Sequence, residues 1–143
     1  MMNGFIDRIA PASSGVVLLL GRLAMAAIFL PSGLGKLENL GGFAQTLAGK
    51  GLPAAYAWAV VGALSEFLGP ICVILGLKTR WAALLMIVFT AVAALISHNF
   101  WTMQGQPRQL NYIQFMKNLA IIGGFLFLFV AGPGSLSVDQ RRR

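Results

Sequence analysis

The chain has 143 residues, 57% of them hydrophobic and only 10% charged, with a formal net charge of +7. A soluble domain carries about a quarter charged residues, so a water-soluble globule is excluded because the polar residues cannot cover its surface. The basic excess does not point to nucleic acid either, since the lysines and arginines stand at the ends of apolar segments and not together on one solvated face.

Residues 1–14 read as a short N-terminal stretch on the cytoplasmic side. Leu23-Ala24-Met25-Ala26 has the small-residue pattern of a signal-peptide cleavage site. However, Asp7 offsets Arg8 and Arg22 interrupts the apolar run, so this segment is expected to be retained as a membrane span. Apolar runs predict spans over 15–37, 54–77, 80–101 and 111–131, each near the ~20 residues that a bilayer core of about 30 Å requires of a helix. The fold class is therefore an all-α, four-helix integral membrane bundle occupying residues 15–139, followed by a basic tail over 140–143.

Between the first and second spans, Leu40, Phe43, Leu47 and Ala48 recur at helical spacing, which predicts a short helix lying on the outer surface. The second and third spans are separated only by Lys78, Thr79 and Arg80, so they must be antiparallel neighbours. The segment Thr102 to Leu110 is polar, contains Pro107 and reads as an outer loop. Arg8, Lys78, Arg80, Arg141, Arg142 and Arg143 flank one side of the bundle, against Lys50 and Arg108 on the other. That asymmetry places both termini in the cytoplasm. Tyr56, Trp58, Trp101 and Tyr112 then fall at the outer interface and Trp81 at the inner one, where amphipathic rings prefer to sit.

Small residues and prolines shape the packing. Gly62, Ser65, Gly69, Cys72 and Gly76 follow one stripe of the second span and allow a neighbouring helix to approach. Cys72 is the only cysteine, so it reads as inert packing. Pro31 deprives the carbonyl of Ala27 of its helical donor, and Pro70 does the same to Glu66.

Charged groups within spans cost at least ~2.5 to 3.5 kcal/mol each and normally face a partner or a cavity. Arg22 and Glu66 are expected to form an ion pair between adjacent helices and to be able to handle a proton. Lys36, His98 and Lys117 come from three different spans and are expected to meet at similar depth near the outer end as a ligand-binding cluster. The bland alternatives are that the pair only fixes helix register and that the lysines reach to the headgroups. One histidine and one cysteine supply no metal or haem ligand set, and no nucleotide-binding loop or catalytic triad is present, so no intrinsic cofactor or metal is expected.

The run from Arg22 to Leu37, ending in Gly33-Leu34-Gly35-Lys36-Leu37, resembles the first helix of the DoxX family. So do Gly51-Leu52-Pro53, Glu66 followed by Gly69, Leu75-Gly76-Leu77-Lys78-Thr79-Arg80, His98, Lys117 with Gly123-Gly124, and the closing Gly132-Pro133-Gly134-Ser135-Leu136-Ser137-Val138-Asp139. The resemblance covers almost the whole chain. It implies a bacterial inner-membrane protein associated with respiratory or redox systems, among them a subunit similar to one in thiosulfate:quinone oxidoreductase.

Three functions are open on these residues. The leading expectation is the membrane subunit of a redox system, enzymatic only as part of a quinone-linked oxidoreductase complex, with a quinone headgroup held by Lys36, His98 and Lys117. Its partners would be the bilayer, a soluble or membrane oxidoreductase and a second copy of the chain, with no nucleic acid. The alternatives are a small transporter or proton conductor gated by Glu66, and a structural assembly factor.

Overall fold

The computed structural model describes residues 14–141, in which all regular structure is helical. Residues 1–13 and 142–143, and with them most of the expected N-terminal stretch and part of the basic tail, lie outside the described residues. Four helical segments are long and apolar enough to cross a membrane: Ser14–Glu38, Ala55–Leu75, Thr79–Thr102 and Gly105–Ala131.

The first segment is two helices, α1 (Ser14–Ala27) and α2 (Phe29–Glu38), interrupted at Ile28. The break falls where Pro31 cannot donate to the carbonyl of Ala27. Asn39 then starts α3 (Leu40–Gly49), its side-chain oxygen accepting from the Gly42 N–H at 3.0 Å. This cap satisfies one of the N–H groups that the first turn leaves without a helical partner. Ala44 and Leu47 of α3 are buried with Ala59 of α4 (Ala55–Leu75). The predicted surface helix is thus present, and its apolar side packs on the bundle.

Helix α4 ends at Gly76, in the left-handed region with φ of 64°, and Leu77 N donates back to Cys72 O at 2.9 Å. Glycine suits this closure because it lacks the Cβ that penalises positive φ. A Cβ at Gly76 would also collide with Arg22 and Ser137. The small-residue stripe thus meets several elements: Gly62 faces Phe43 of α3, Gly69 faces Met86 on the third span, and Gly76 is a cap. The closest backbone approach involves Gly33 instead, where a Cβ would lie 2.8 Å from the carbonyl carbon of Glu66 and the nitrogen of Phe67.

Helix α5 (Thr79–Ser97) is followed by a single 3-10 turn, Phe100–Thr102. Helix α6 (Gly105–Ala131) begins well before Asn111, so the expected polar loop over Thr102 to Leu110 is largely helix. Pro107 does not prevent this, because it sits in the first turn, where no N–H is needed for the helical ladder. At 27 residues α6 is about 40 Å long and exceeds the hydrocarbon thickness, which leaves its polar first turns beyond the apolar layer. Phe100 braces that extension by edge contacts to Tyr112 and Phe115 at 5.2 and 5.5 Å. A four-residue helix, α7 (Val138–Arg141), closes the described chain.

Gly15 packs beside Ser135, so Ser14 and the C-terminal segment share one end of the bundle, the terminal end; α3 and the 3-10 turn mark the loop end. The interior is apolar, with Phe29, Val73, Met86, Phe125 and Leu128 buried together. Phe29 touches Phe125 and Phe89 at centroid distances of 5.9 and 6.3 Å. Leu68, Val88, Phe127 and Val130 are exposed on the outside. Such apolar surface would drive association in water and is what lipid tails require.

Candidate functional site

The buried ion pair is Lys36–Glu66: the ammonium of Lys36 donates to Oε2 of Glu66, and this is the one salt bridge among the described residues. Helical side chains lean toward the N-terminus of their own helix. The segment of α1 and α2 runs from the terminal end to the loop end, and α4 runs back. Lys36 therefore leans down and Glu66 leans up, and they meet. The Glu66 side chain is 6% exposed, whereas that of Lys36 is 29% exposed.

The same geometry overturns the expected Arg22–Glu66 pair. Arg22 leans toward the terminal end and away from Glu66, and its guanidinium reaches the last turn of α4. There Nη1 donates to the carbonyls of Val73 (3.3 Å) and Ile74 (2.9 Å), and Nη2 donates to Leu136 O. Those carbonyls lie roughly 10 Å below Glu66 at 1.5 Å per residue. A planar cation with several donors is well matched to the carbonyls of the last turn of α4, which carry partial negative charge; Val73 O accepts in addition from the Gly76 N–H at 3.2 Å.

Asp139 completes this end. Its carboxylate accepts from the backbone N–H of Lys78 (2.7 Å) and Thr79 (2.8 Å) and from Oγ1 of Thr79 (2.9 Å), while its own N–H donates to Gly76 O at 2.9 Å. A carboxylate at the start of α5 compensates the free N–H groups and the positive end of the helix dipole. Sequence reasoning missed this role; the signal was a lone acidic residue closing a Gly/Ser-rich segment opposite a helix start without a capping side chain of its own.

The three outer cations are held apart. Lys36 is committed to Glu66 and also lies 5.0 Å above the ring of Phe43. His98 Nδ1 is 3.1 Å from Asn111 Oδ1, and Asn111 in turn donates to Pro107 O at 3.0 Å. Lys117 is exposed on α6. On a helix that descends from the loop end its side chain leans toward the headgroups at that end, away from the bundle interior.

A groove of about 700 Å³ opens beside Lys36. Helix α3 roofs it through Phe43 and Leu47, and α4 and α5 supply walls that include Trp58, Ser65, Val88 and Val92. Trp58, Val88 and Val92 are all about half exposed, so the groove faces sideways into the lipid. Its reach along α5, from Leu85 to Ser97, is roughly 18 Å by helical rise. The result is a lateral apolar slot with one ion pair at its inner edge. No single segment carries a period for this slot, because its walls come from three elements, α3, α4 and α5, that are separate along the chain.

Comparison with known proteins agrees with this architecture. The chain is 37% identical over 130 residues to the inner membrane protein YphA of Escherichia coli, covering 91% of this chain and 93% of that protein. It is 34% identical over 125 residues to the inner membrane protein YqjF of the same organism, covering 87% and 91%. A shorter match, 32% over 76 residues, covers 53% of this chain and 24% of the ER-derived vesicles protein ERV29 of Saccharomyces cerevisiae. No solved structure matches the chain significantly. The DoxX family profile matches residues 17–99, the stretch that holds Arg22, Lys36, Glu66 and the whole lining of the groove. The chain belongs to the DoxX family of integral membrane proteins.

Proposed function

We propose that this multi-pass protein of the bacterial inner membrane is the membrane subunit of a redox system and that its lateral groove receives a quinone. The observation that carries the reading is the combination of an apolar slot open to the bilayer with the partly exposed Lys36, paired with the buried Glu66, at its edge. A quinone dissolves in the lipid, so a sideways entrance suits it. Its isoprenoid tail matches walls such as Val88 and Val92, and its carbonyl can accept from the Lys36 ammonium. His98 and Lys117 lie outside the slot and have no part in this reading. Docking of an oxidoreductase follows as the companion expectation, since no redox centre is expected in the chain itself.

The proton-conduction alternative is less well supported. Phe29, Phe89 and Phe125 fill the interior, and Glu66 is already paired.

Trp58 lines the slot and supplies the test. With Trp81 and Trp101 changed to Phe, a short-tailed quinone analogue should quench Trp58 saturably in detergent. Lys36→Met and the slot-filling Ala93→Phe should each weaken that quenching about tenfold, while circular dichroism stays that of a helical bundle. Unsaturable quenching, or quenching in both variants as strong as in the parent protein, would end the proposal.

A further inference from the structure

A second, chemically different cavity of about 510 Å³ lies at the terminal end, between the start of α5 and the end of α6. Lys78, Arg80 and Asp139 contribute its charges, Trp81 its aromatic wall, and the backbone from Gly132 to Ser135 its floor. Lys78 and Arg80 are both exposed. The carboxylate of Asp139 is turned toward the N–H groups of α5, and Arg80 keeps its position by donating to Val130 O at 3.3 Å. Two cations against one carboxylate leave the cavity net positive, and Arg141 lies two residues beyond Asp139.

The surroundings place this charge at a membrane interface. Trp81 is 72% exposed, and Phe127 and Val130 on α6 are 80% and 75% exposed. Polar lining thus gives way, within about two helical turns, to some of the barest apolar surface on the molecule. A ligand satisfying both halves carries an anionic head and long apolar chains. We propose that this cavity is a binding site for an anionic diacyl phospholipid, with the phosphate between Lys78 and Arg80 and the acyl chains descending past Trp81, Phe127 and Val130. A zwitterionic lipid offers the same phosphate but brings its own cation into a net positive site. The site therefore selects for net charge, not for phosphate alone. It is independent of the groove at the loop end, and neither proposal requires the other.

The experiment uses the full chain in vesicles of fixed ionic strength with Trp81 as the only tryptophan, Trp58 and Trp101 being Phe. A second protein keeps only Trp101, at the loop end, as a reference. Each is titrated with brominated phosphatidylglycerol and with brominated phosphatidylcholine, whose bromines quench a tryptophan on contact.

Trp81 should be quenched preferentially by phosphatidylglycerol, and Trp101 should show much less preference. Lys78→Gln and Arg80→Gln should each lower the preference at Trp81 about fivefold, the effect of one cation near a charged headgroup. Thermal unfolding of each variant shows whether the bundle is intact. Equal quenching by the two lipids, or an equal preference at Trp81 and Trp101, would overturn the site. So would a preference that survives in the folded double variant. If millimolar inorganic phosphate abolishes the preference at constant ionic strength, the cavity binds free phosphate and the lipid assignment fails.

Discussion

At the terminal end of the bundle Arg22 commits its guanidinium to three neutral carbonyls, whereas at the loop end Lys36 turns its ammonium to a single carboxylate beside an open groove. Arg22 is 1% exposed and joins α1, α4 and the C-terminal segment into one unit. Lys36 keeps part of its side chain accessible and joins only two helices. The first arrangement locks structure, because two of its bonds run to the last turn of α4 and the third ties the C-terminal segment to that turn. The second leaves a charged group able to exchange its partner for a ligand. A buried charge within a membrane is therefore a pointer to function mainly where it borders a cavity.

The sharpest way to break this comparison is Arg22→Met. It orphans the carbonyls of Ile74 and Leu136, while Val73 O keeps the Gly76 N–H, and at about 1–3 kcal/mol per unsatisfied group the loss is about 2–6 kcal/mol. Thermal unfolding in mild detergent should show a marginal or unfolded protein, with Arg22→Lys only partly restoring it because a point charge cannot fork to several carbonyls. A stable Arg22→Met protein would show that the terminal end is not locked by this residue.

Next in size is the Lys36–Glu66 pair. Removing either partner alone should cost about 2–4 kcal/mol, below the cost for a fully buried pair because Lys36 is partly solvated. The double change Lys36→Met with Glu66→Leu should recover most of that. Arg22 and Glu66, which do not touch, should be additive within about 0.5 kcal/mol in the same assay. Coupling between Arg22 and Glu66, or its absence between Lys36 and Glu66, would reverse the assignment of partners.

A smaller effect sharpens the comparison by asking what brings α2 onto α4. Gly33→Ala should destabilise by about 1–3 kcal/mol, since its Cβ would press on backbone at Glu66 and Phe67 that cannot yield. Gly35→Ala meets nothing within 4 Å and should be neutral or stabilising by up to about 1 kcal/mol through helix propensity. Equal melting temperatures for the two variants would remove Gly33 as the reason Lys36 reaches Glu66.

The last test carries no energetic effect and fixes which end faces the cytoplasm. Cysteines at the exposed Gln45 and Gln106, in a Cys72→Ser background, should react with an impermeant thiol reagent in intact cells. Labelling only after lysis would put the loop end inside.

The sequence by itself determined the membrane class, the four spans, the short helix after the first span and the family. Each of these rests on local composition, on 3.6-residue periodicity or on motif order along the chain, and none needs knowledge of which helices touch. Pro31 was legible in the same way, since the hydrogen bond it removes is local to its own helix. The charge partners were not. Arg22 and Lys36 share one face of the first span, and distance along that span alone does not tell which of them Glu66 meets. That was settled by the opposed lean of side chains on antiparallel helices and by the contact at Gly33 that sets their register. The start of α6 at Gly105 was hidden because a polar helix extending beyond the bilayer has the composition of a loop. The groove was hidden for a further reason: its walls come from α3, α4 and α5, so it exists only once the chain folds back on itself, and no single segment carries its pattern.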